Sequence, residues 1–171
     1  NNSPEKNIIT ANEGNAIALA TGYYLATGKI GVVYMQNSGL GNCINPLTSL
    51  TDPKVYSIPM LLMIGWRGEP GKKDEPQHKK MGEIMVETIK SVGIPYNILP
   101  GTISDAEKVI KEAIEHATTH STPYALIVHE GTFEPYKIKN NTKTTFPLNR
   151  EQAIRAVVPL LTSEEIIIST R

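Results

Sequence analysis

The sequence predicts an α/β fold, a doubly wound and mainly parallel sheet with helices on both faces. Short apolar runs alternate with helical patterns along the chain. These runs are continuous rather than alternating, which is typical of strands covered on both faces. Polar or glycine-rich stretches directly follow several of them. Strand–helix–strand repetition at this spacing favours right-handed crossovers between parallel strands.

Five stretches are predicted to be strands and four to be helices. The strand candidates cover residues 7–10, 30–35, 60–65, 96–99 and 124–129. The helix candidates cover residues 14–27, about 41–50, 80–92 and 104–119.

Capping residues support these helices. Asn12 is placed to cap the first helix through its side-chain oxygen, and residues 104–107 form a capping box ahead of an apolar face. Residues 149–152 form a second, weaker box. Pro46 fits as a first-turn proline after an Asn45 cap, or as a kink.

Composition excludes several function classes. Lys+Arg and Asp+Glu balance at 17 each in 171 residues, so no basic excess attracts nucleic acid or an anionic membrane. No apolar run is long enough for a membrane span. The single Cys43 rules out an internal disulfide and favours a cytoplasmic location. We therefore expect a small-molecule ligand, with no nucleic acid and no membrane.

The chain is expected to hold one α/β domain and part of another. Residues 1–130 form the predicted domain, and the polar, aperiodic residues 131–148 are a predicted linker. Residues 149–171 contain a helical pattern and a β run at 165–169, which indicates the start of a further domain. Residue 1 is not Met, and we expect the fold to be incomplete at both ends.

Polar side chains follow the predicted strands at their carboxyl ends, the edge at which open α/β sheets bind ligands. Glu13 follows the first strand and falls in the first turn of a helix, where an acid is also favoured by the helix dipole alone. The loop 36–42 follows the second strand and the charged loop 65–80 follows the third. Together they predict a binding crevice.

Two of these loops have alternative interpretations. The loop 38–42 lacks the lysine of a P-loop and the third glycine of a dinucleotide fingerprint, and is either a close-approach loop or a tight turn. His78, near Asp74 and Glu75, could move protons near neutral pH or lie in an exposed charged loop. His116 and His120 could chelate a metal, or they could be a pair in the last turn of a helix that the helix dipole favours. No metal site is predicted.

Four motifs, at residues 12–16, 34–42, 65–71 and 74–78, together resemble one family. They are similar to the amino-terminal, pyrimidine-binding domain of the phosphonopyruvate decarboxylases, which are thiamine-diphosphate enzymes. The related sulfopyruvate decarboxylases share much of the pattern. Four separated motifs in the same order make the resemblance specific for the family and less specific for the substrate.

The resemblance implies decarboxylation of 3-phosphonopyruvate, a 2-keto acid, to phosphonoacetaldehyde and carbon dioxide. Glu13 would be catalytic by hydrogen-bonding a ring nitrogen of the cofactor's aminopyrimidine. Gln77 and His78 would be catalytic near the reacting carbon. The remaining implied cofactor-binding residues are Asn37, Ser38, Gly39, Leu40, Gly41 and Asn42. Arg67, Lys72 and Lys73 are candidates for binding the phosphonate.

The resemblance also implies what lies outside this chain. The family has a further strand and helix before the position of residue 1, and its Mg²⁺ and diphosphate ligands belong to another domain. The site forms between subunits, so we expect a homo-oligomer and no activity from this chain alone. The alternatives are a sulfopyruvate decarboxylase subunit and a non-catalytic, flavodoxin-like binding or assembly module.

Overall fold

The computed structural model describes residues 7–136 and 148–162. The chain divides into two compact units, with the boundary between Glu134 and Pro135. The first unit contains a four-stranded parallel sheet in the order β1-β2-β4-β3. Its strands are β1 (Gly31–Gln36), β2 (Met60–Gly65), β3 (Tyr96–Ile98) and β4 (Pro123–Val128). Its helices are α1 (Glu13–Thr27), α2 (Ile44–Ser49), α3 (Pro76–Ser91) and α4 (Ile103–His120).

The strand register brings the carboxyl ends of the central strands together. Gln36 at the end of β1 lies beside Gly65 of β2, and Gly65 lies beside Val128 of β4. The chain segments that leave these strands therefore start at one edge of the sheet, as the sequence predicts.

Helices pack on both faces of the sheet. On one face, Ile17 of α1 and Met85 of α3 belong to the same buried cluster as Val33. On the other face, Ala113 of α4 packs in a smaller cluster with Leu61 and Leu126. The parallel strands and the two apolar layers confirm the predicted doubly wound α/β fold.

The start of α1 is as predicted, whereas that of α4 is not. The Asn12 side chain accepts a hydrogen bond from the Asn15 amide at 3.0 Å. In α4, the cap is Thr102, whose hydroxyl accepts from the Asp105 amide at 3.4 Å. The predicted box beginning at Ser104 is wrong, because Thr102 offers the same type of cap two residues earlier and also donates to the Asp105 carboxylate.

Two helices begin elsewhere than the sequence predicts. α3 was expected from residue 80 but begins at Pro76, since proline is favoured in a first turn and Glu75 adopts the extended conformation of a cap. The helix expected at 41–50 is a 3₁₀ helix, Asn37–Cys43, followed by α2. Pro46 does lie in the first turn of α2, but the cap position is Cys43 rather than Asn45.

The strand predicted at residues 7–10 is wrong. These residues form no strand, and Ile8 and Ile9 are 65% and 94% exposed. A strand requires a neighbour for its backbone hydrogen bonds. Within the described residues, β1 pairs only with β2, and the stretch before α1 joins no ladder.

The second unit is described over residues 135–136 and 148–162. It contains α5 (Arg150–Val157) and a 3₁₀ turn, Val158–Leu160. The predicted capping box is confirmed, because Asn149 and Gln152 exchange side-chain and backbone hydrogen bonds of 2.9 Å. Most of the predicted linker and the β run at 165–169 lie outside the described residues. Across the described ranges, every helix is too short or too polar to cross a membrane.

Candidate functional site

Glu13 is held at the start of α1 by one of its two carboxylate oxygens. The Asn42 side chain donates a hydrogen bond to Oε2 at 2.8 Å. Among the described residues, no group donates to Oε1. The side chain is half-buried rather than fully exposed. Glu13 therefore has one oriented oxygen and one oxygen available to a ligand.

Two glycines allow this arrangement. Gly39 lies so close to the Glu13 carboxylate that a Cβ on Gly39 would overlap it. A Cβ on Gly14 would lie 2.7 Å from the Asn42 carbonyl oxygen. At Gly14 the neighbour is backbone, so that position must stay small, whereas a Cβ on Gly39 would push the Glu13 side chain out of its position. The start of α1 and the 3₁₀ helix that follows β1 are thus packed directly against each other.

The six predicted cofactor-binding residues of the loop divide into two groups. Asn37, Gly39 and Leu40 are buried, whereas Ser38, Gly41 and Asn42 are exposed. The side-chain NH₂ group of the buried Asn37 donates to the Arg67 backbone carbonyl at 2.8 Å, and its side-chain oxygen accepts from the Arg67 backbone N–H at 2.9 Å. Asn37 therefore ties the end of β1 to the loop after β2, and the exposed residues have surface open to a ligand.

Cys43 follows this loop and lies in the core beneath it. Burial, together with the negative charge of Glu13, raises the pKa of the Cys43 thiol to about 12. The thiol stays protonated at neutral pH, which agrees with its interpretation as a small buried residue.

Asp74 forms a second centre, in the loop between β2 and α3. Its carboxylate accepts five hydrogen bonds, two from the Arg67 guanidinium and one each from the Gly68 amide, the Glu75 amide and His78 Nδ1, at 2.6–2.9 Å. The bonds from Arg67, His78 and Gly68 hold the pKa of the Asp74 carboxyl well below its usual range. The hydrogen bonding between Arg67 and Asp74 also raises the pKa of the Arg67 guanidinium.

Close backbone packing fixes the loop against α3. Gly68 has a φ of 67°, and a Cβ there would overlap the His78 carbonyl. A Cβ on Gly82 would overlap the Gly68 carbonyl, and the Trp66 indole donates to the Gly82 carbonyl at 3.0 Å. The backbone of the loop thus lies directly on the first turns of α3, which carry His78.

Glu69 and His129 form a second carboxylate–imidazole pair. His129 Nδ1 lies 2.9 Å from Glu69 Oε2, and Lys72 Nζ lies 2.7 Å from the same oxygen. The His129 ring also stacks on Trp66, with 5.4 Å between ring centroids. Burial opposes ionisation of Glu69, but the hydrogen bonds from Lys72 and His129 outweigh it and lower the pKa of Glu69.

The structure separates the predicted substrate-side residues into paired and unpaired groups. Arg67 and His78 meet at Asp74, and Lys72 is paired with Glu69. Lys73 and Gln77 are exposed and have no side-chain partner among the described residues. Among all the residues that the structure describes, no group of three or more His, Cys, Asp or Glu side chains is placed to hold a metal ion.

Comparison with known proteins places the chain in a family. The family model of the thiamine pyrophosphate enzymes' N-terminal TPP-binding domain matches residues 2–90. The chain belongs to this family. Thiamine pyrophosphate is the thiamine diphosphate of the sequence prediction, so the predicted family is confirmed.

The similar curated proteins are decarboxylases. Phosphonopyruvate decarboxylase of Streptomyces viridochromogenes is 37% identical over 119 residues, which cover 70% of this chain and 29% of that protein. Its counterpart in Streptomyces hygroscopicus is 38% identical, over the same shares. Sulfopyruvate decarboxylase subunit alpha of Methanococcus maripaludis is 38% identical over 72% of this chain and 71% of the subunit. The matched region thus spans under a third of the phosphonopyruvate decarboxylases and most of the alpha subunit.

Proposed function

We propose that this chain supplies the pyrimidine-binding half of a thiamine-diphosphate-dependent decarboxylase that converts 3-phosphonopyruvate to phosphonoacetaldehyde and carbon dioxide. The observation that carries the proposal is the geometry of Glu13. Asn42 fixes Oε2, while Oε1 lies against Gly39 and accepts no hydrogen bond from the described residues. A half-buried carboxylate with one free oxygen fits a ring nitrogen that must share a proton.

The cradle around Glu13 fits the cofactor's aminopyrimidine. Glu13 Oε1 would hold a proton at a ring nitrogen, and Asn42 would keep the carboxylate aimed during that transfer. The exposed Ser38 and Gly41 would offer backbone and hydroxyl groups to the ring edge. When bound, thiamine diphosphate supplies the electron sink that decarboxylation of a 2-keto acid requires.

The loop after β2 and the start of α3 would bind the substrate. Gln77 and His78 would orient the keto acid or move a proton, because both lie in the first turn of α3 at the carboxyl edge of the sheet. Arg67 keeps guanidinium N–H groups that Asp74 does not use, since Asp74 engages only Nε and Nη2. With Lys72 and the unpaired Lys73, Arg67 would neutralise the phosphonate.

We further propose a cytoplasmic homo-oligomer in which another subunit's domain holds Mg²⁺ and the diphosphate. This arrangement is supported by the family resemblance. The name subunit alpha of two relatives indicates an assembly of several subunits in those proteins.

A second candidate is sulfopyruvate decarboxylation, with this chain as one subunit. The observation in its favour is that the match covers 71% of a sulfopyruvate decarboxylase alpha subunit at the same identity. The two substrates share the keto acid and differ in the anion, a phosphonate that can carry two charges or a sulfonate that carries one.

Carbon dioxide release by the complete protein, with thiamine diphosphate and Mg²⁺ added, tests both candidates. We expect kcat/KM for 3-phosphonopyruvate to exceed that for sulfopyruvate by at least about tenfold, which corresponds to roughly 1.4 kcal/mol of discrimination between the anions. The reverse preference would assign the protein to sulfopyruvate. No turnover of either keto acid would reject the decarboxylase and favour a non-catalytic module.

A further inference from the structure

We propose that Asp74 is a positioning residue that holds His78 and Arg67 in their working orientations. The inference rests on the proposed function, because it assigns to Asp74 the alignment of two groups on the substrate side of that site. Neither the family match nor the names of the relatives assign Asp74 a role.

The bond to His78 selects one form of the imidazole. His78 Nδ1 lies 2.9 Å from Asp74 Oδ1, and both side chains are largely buried, with 16% and 12% exposed. An ionised carboxylate only accepts hydrogen bonds, so Nδ1 must carry the proton. In the neutral ring, Nε2 is then the acceptor and remains free for the substrate side.

The same carboxylate also fixes the guanidinium. Arg67 donates from Nε to Oδ2 at 2.9 Å and from Nη2 to Oδ1, a two-point contact that sets both the position and the plane of the group. The Arg67 backbone is in turn clamped by Asn37, from the loop that contacts Glu13. Asp74 thus links the imidazole of His78 on α3, through Arg67, to the 3₁₀ helix that begins at Asn37 and contacts Glu13.

A purely structural role predicts different behaviour. If Asp74 served only the loop, its bonds to the Gly68 and Glu75 amides, at 2.6 and 2.7 Å, would be the ones that matter. Those amides bind different oxygens, Gly68 at Oδ2 and Glu75 at Oδ1. Asn has one side-chain oxygen and can therefore accept from only one of the two amides, and its NH₂ group could accept from neither Arg67 nor His78. The His78 tautomer therefore separates the positioning role from the loop role, because among these bonds only the one to His78 Nδ1 fixes the position of the imidazole proton.

The test is ¹⁵N NMR of the imidazole rings in the complete, histidine-labelled protein, at a pH at which they are neutral. The His78 signal is identified by its loss in His78→Gln. We expect the Nδ1–H form in the wild type and loss of that preference in Asp74→Asn. We also expect kcat to fall by at least about tenfold in Asp74→Asn, with thiamine diphosphate affinity unchanged.

Asp52→Asn is the matched control, because the Asp52 carboxylate also accepts a loop amide, that of Lys54 at 2.8 Å, and lies before β2 rather than after it. It should change neither the tautomer nor kcat. An Nε2–H form of His78 in the wild type would overturn the inference, even if Asp74→Asn does not fold. So would an Asp74→Asn variant with wild-type tautomer and kcat. Absence of turnover in the wild type would overturn the proposed function alone, since the tautomer is measured without substrate.

Discussion

Two carboxylates near the carboxyl edge of the sheet, Glu13 and Asp74, have opposite hydrogen-bonding states. Among the described residues, Glu13 accepts one hydrogen bond from a side chain, and its second oxygen accepts none. Asp74 accepts five, distributed over both oxygens. A carboxylate whose two oxygens already accept several hydrogen bonds has little capacity to accept one from a ligand. A carboxylate with one unpartnered oxygen beside glycines can still accept such a bond. This difference supports the proposals that Glu13 contacts the ligand and that Asp74 holds other groups.

The partners of the two carboxylates also differ in where they lie along the chain. Asn42, which holds Glu13, is 29 residues away and depends on the packing of α1 against the loop after β1. The hydrogen-bond partners of Asp74 in the described part of the chain all lie within seven residues of it. The Asp74 network therefore forms within one loop and helix start, while the Glu13 site requires the assembled sheet.

Glu13→Gln should have the largest effect. Gln keeps an oxygen for Asn42 but cannot hold a proton at the cofactor ring, so we expect kcat to fall about 10²- to 10⁴-fold. The free energy of unfolding should change by less than about 1 kcal/mol, because a neutral hydrogen bond replaces a charged one. The measurements are carbon dioxide release and denaturant unfolding of the complete protein. Glu83→Gln, an exposed acid beside Lys80 on α3, is the control. Turnover near the wild-type value would remove the functional distinction between the two carboxylates.

Gly39→Ala should have an intermediate effect. The new methyl group would overlap the Glu13 carboxylate and displace it without changing its charge. We expect a loss of stability of about 1–3 kcal/mol and at least about tenfold weaker thiamine diphosphate binding, measured by unfolding and calorimetry. Gly22→Ala in α1 is the matched change, because nothing lies within 4 Å of a Cβ there. It should stabilise the helix by about 0.5–1 kcal/mol. Equal behaviour of the two variants would contradict the close packing around Glu13.

The smallest expected effect concerns acid stability. Because the folded-state pKa of Asp74 is depressed, its contribution to stability is present above the unfolded pKa, near 4, and is lost as pH falls through the folded pKa. The wild type should thus lose stability between about pH 5 and pH 3 more steeply than Asp74→Asn. Urea unfolding at several pH values measures this. Parallel curves for the two proteins would show that Asp74 is not preferentially ionised in the folded state.

The fold was largely predictable because its signals are local. The continuous apolar runs of β2 and β4 and the one-sided apolar face of α4 need no information from elsewhere in the chain. The false strand at residues 7–10 has the same apolar signal, but strand formation depends on a pairing partner that a local pattern does not reveal. The sequence predicts α3 from residue 80 rather than from Pro76, because the charged residues around Pro76 are typical of a loop. The preference of proline for a first helical turn is the signal that indicates the earlier start.

The site was predictable in part. Glu13 stands out in the sequence as an acid in the first turn of a helix, although the strand predicted before it does not form, and its interpretation as a ligand contact remains a prediction. The sequence does place Asp74 near His78, four residues earlier, which is a spacing at which helical side chains meet. Its bonds to both His78 and Arg67 are not among the predictions. The Glu69–His129 pair could not, because its members are 60 residues apart and meet only when β2 and β4 pair.

A crystal structure of the complete protein with thiamine diphosphate tests the central claim most directly. The account predicts a ring nitrogen of the aminopyrimidine within hydrogen-bond distance of Glu13 Oε1, with Asn42 still bound to Oε2 and Asp74 still bound to Arg67 and His78. An aminopyrimidine bound elsewhere, or contacted by Asp74 rather than Glu13, would contradict it.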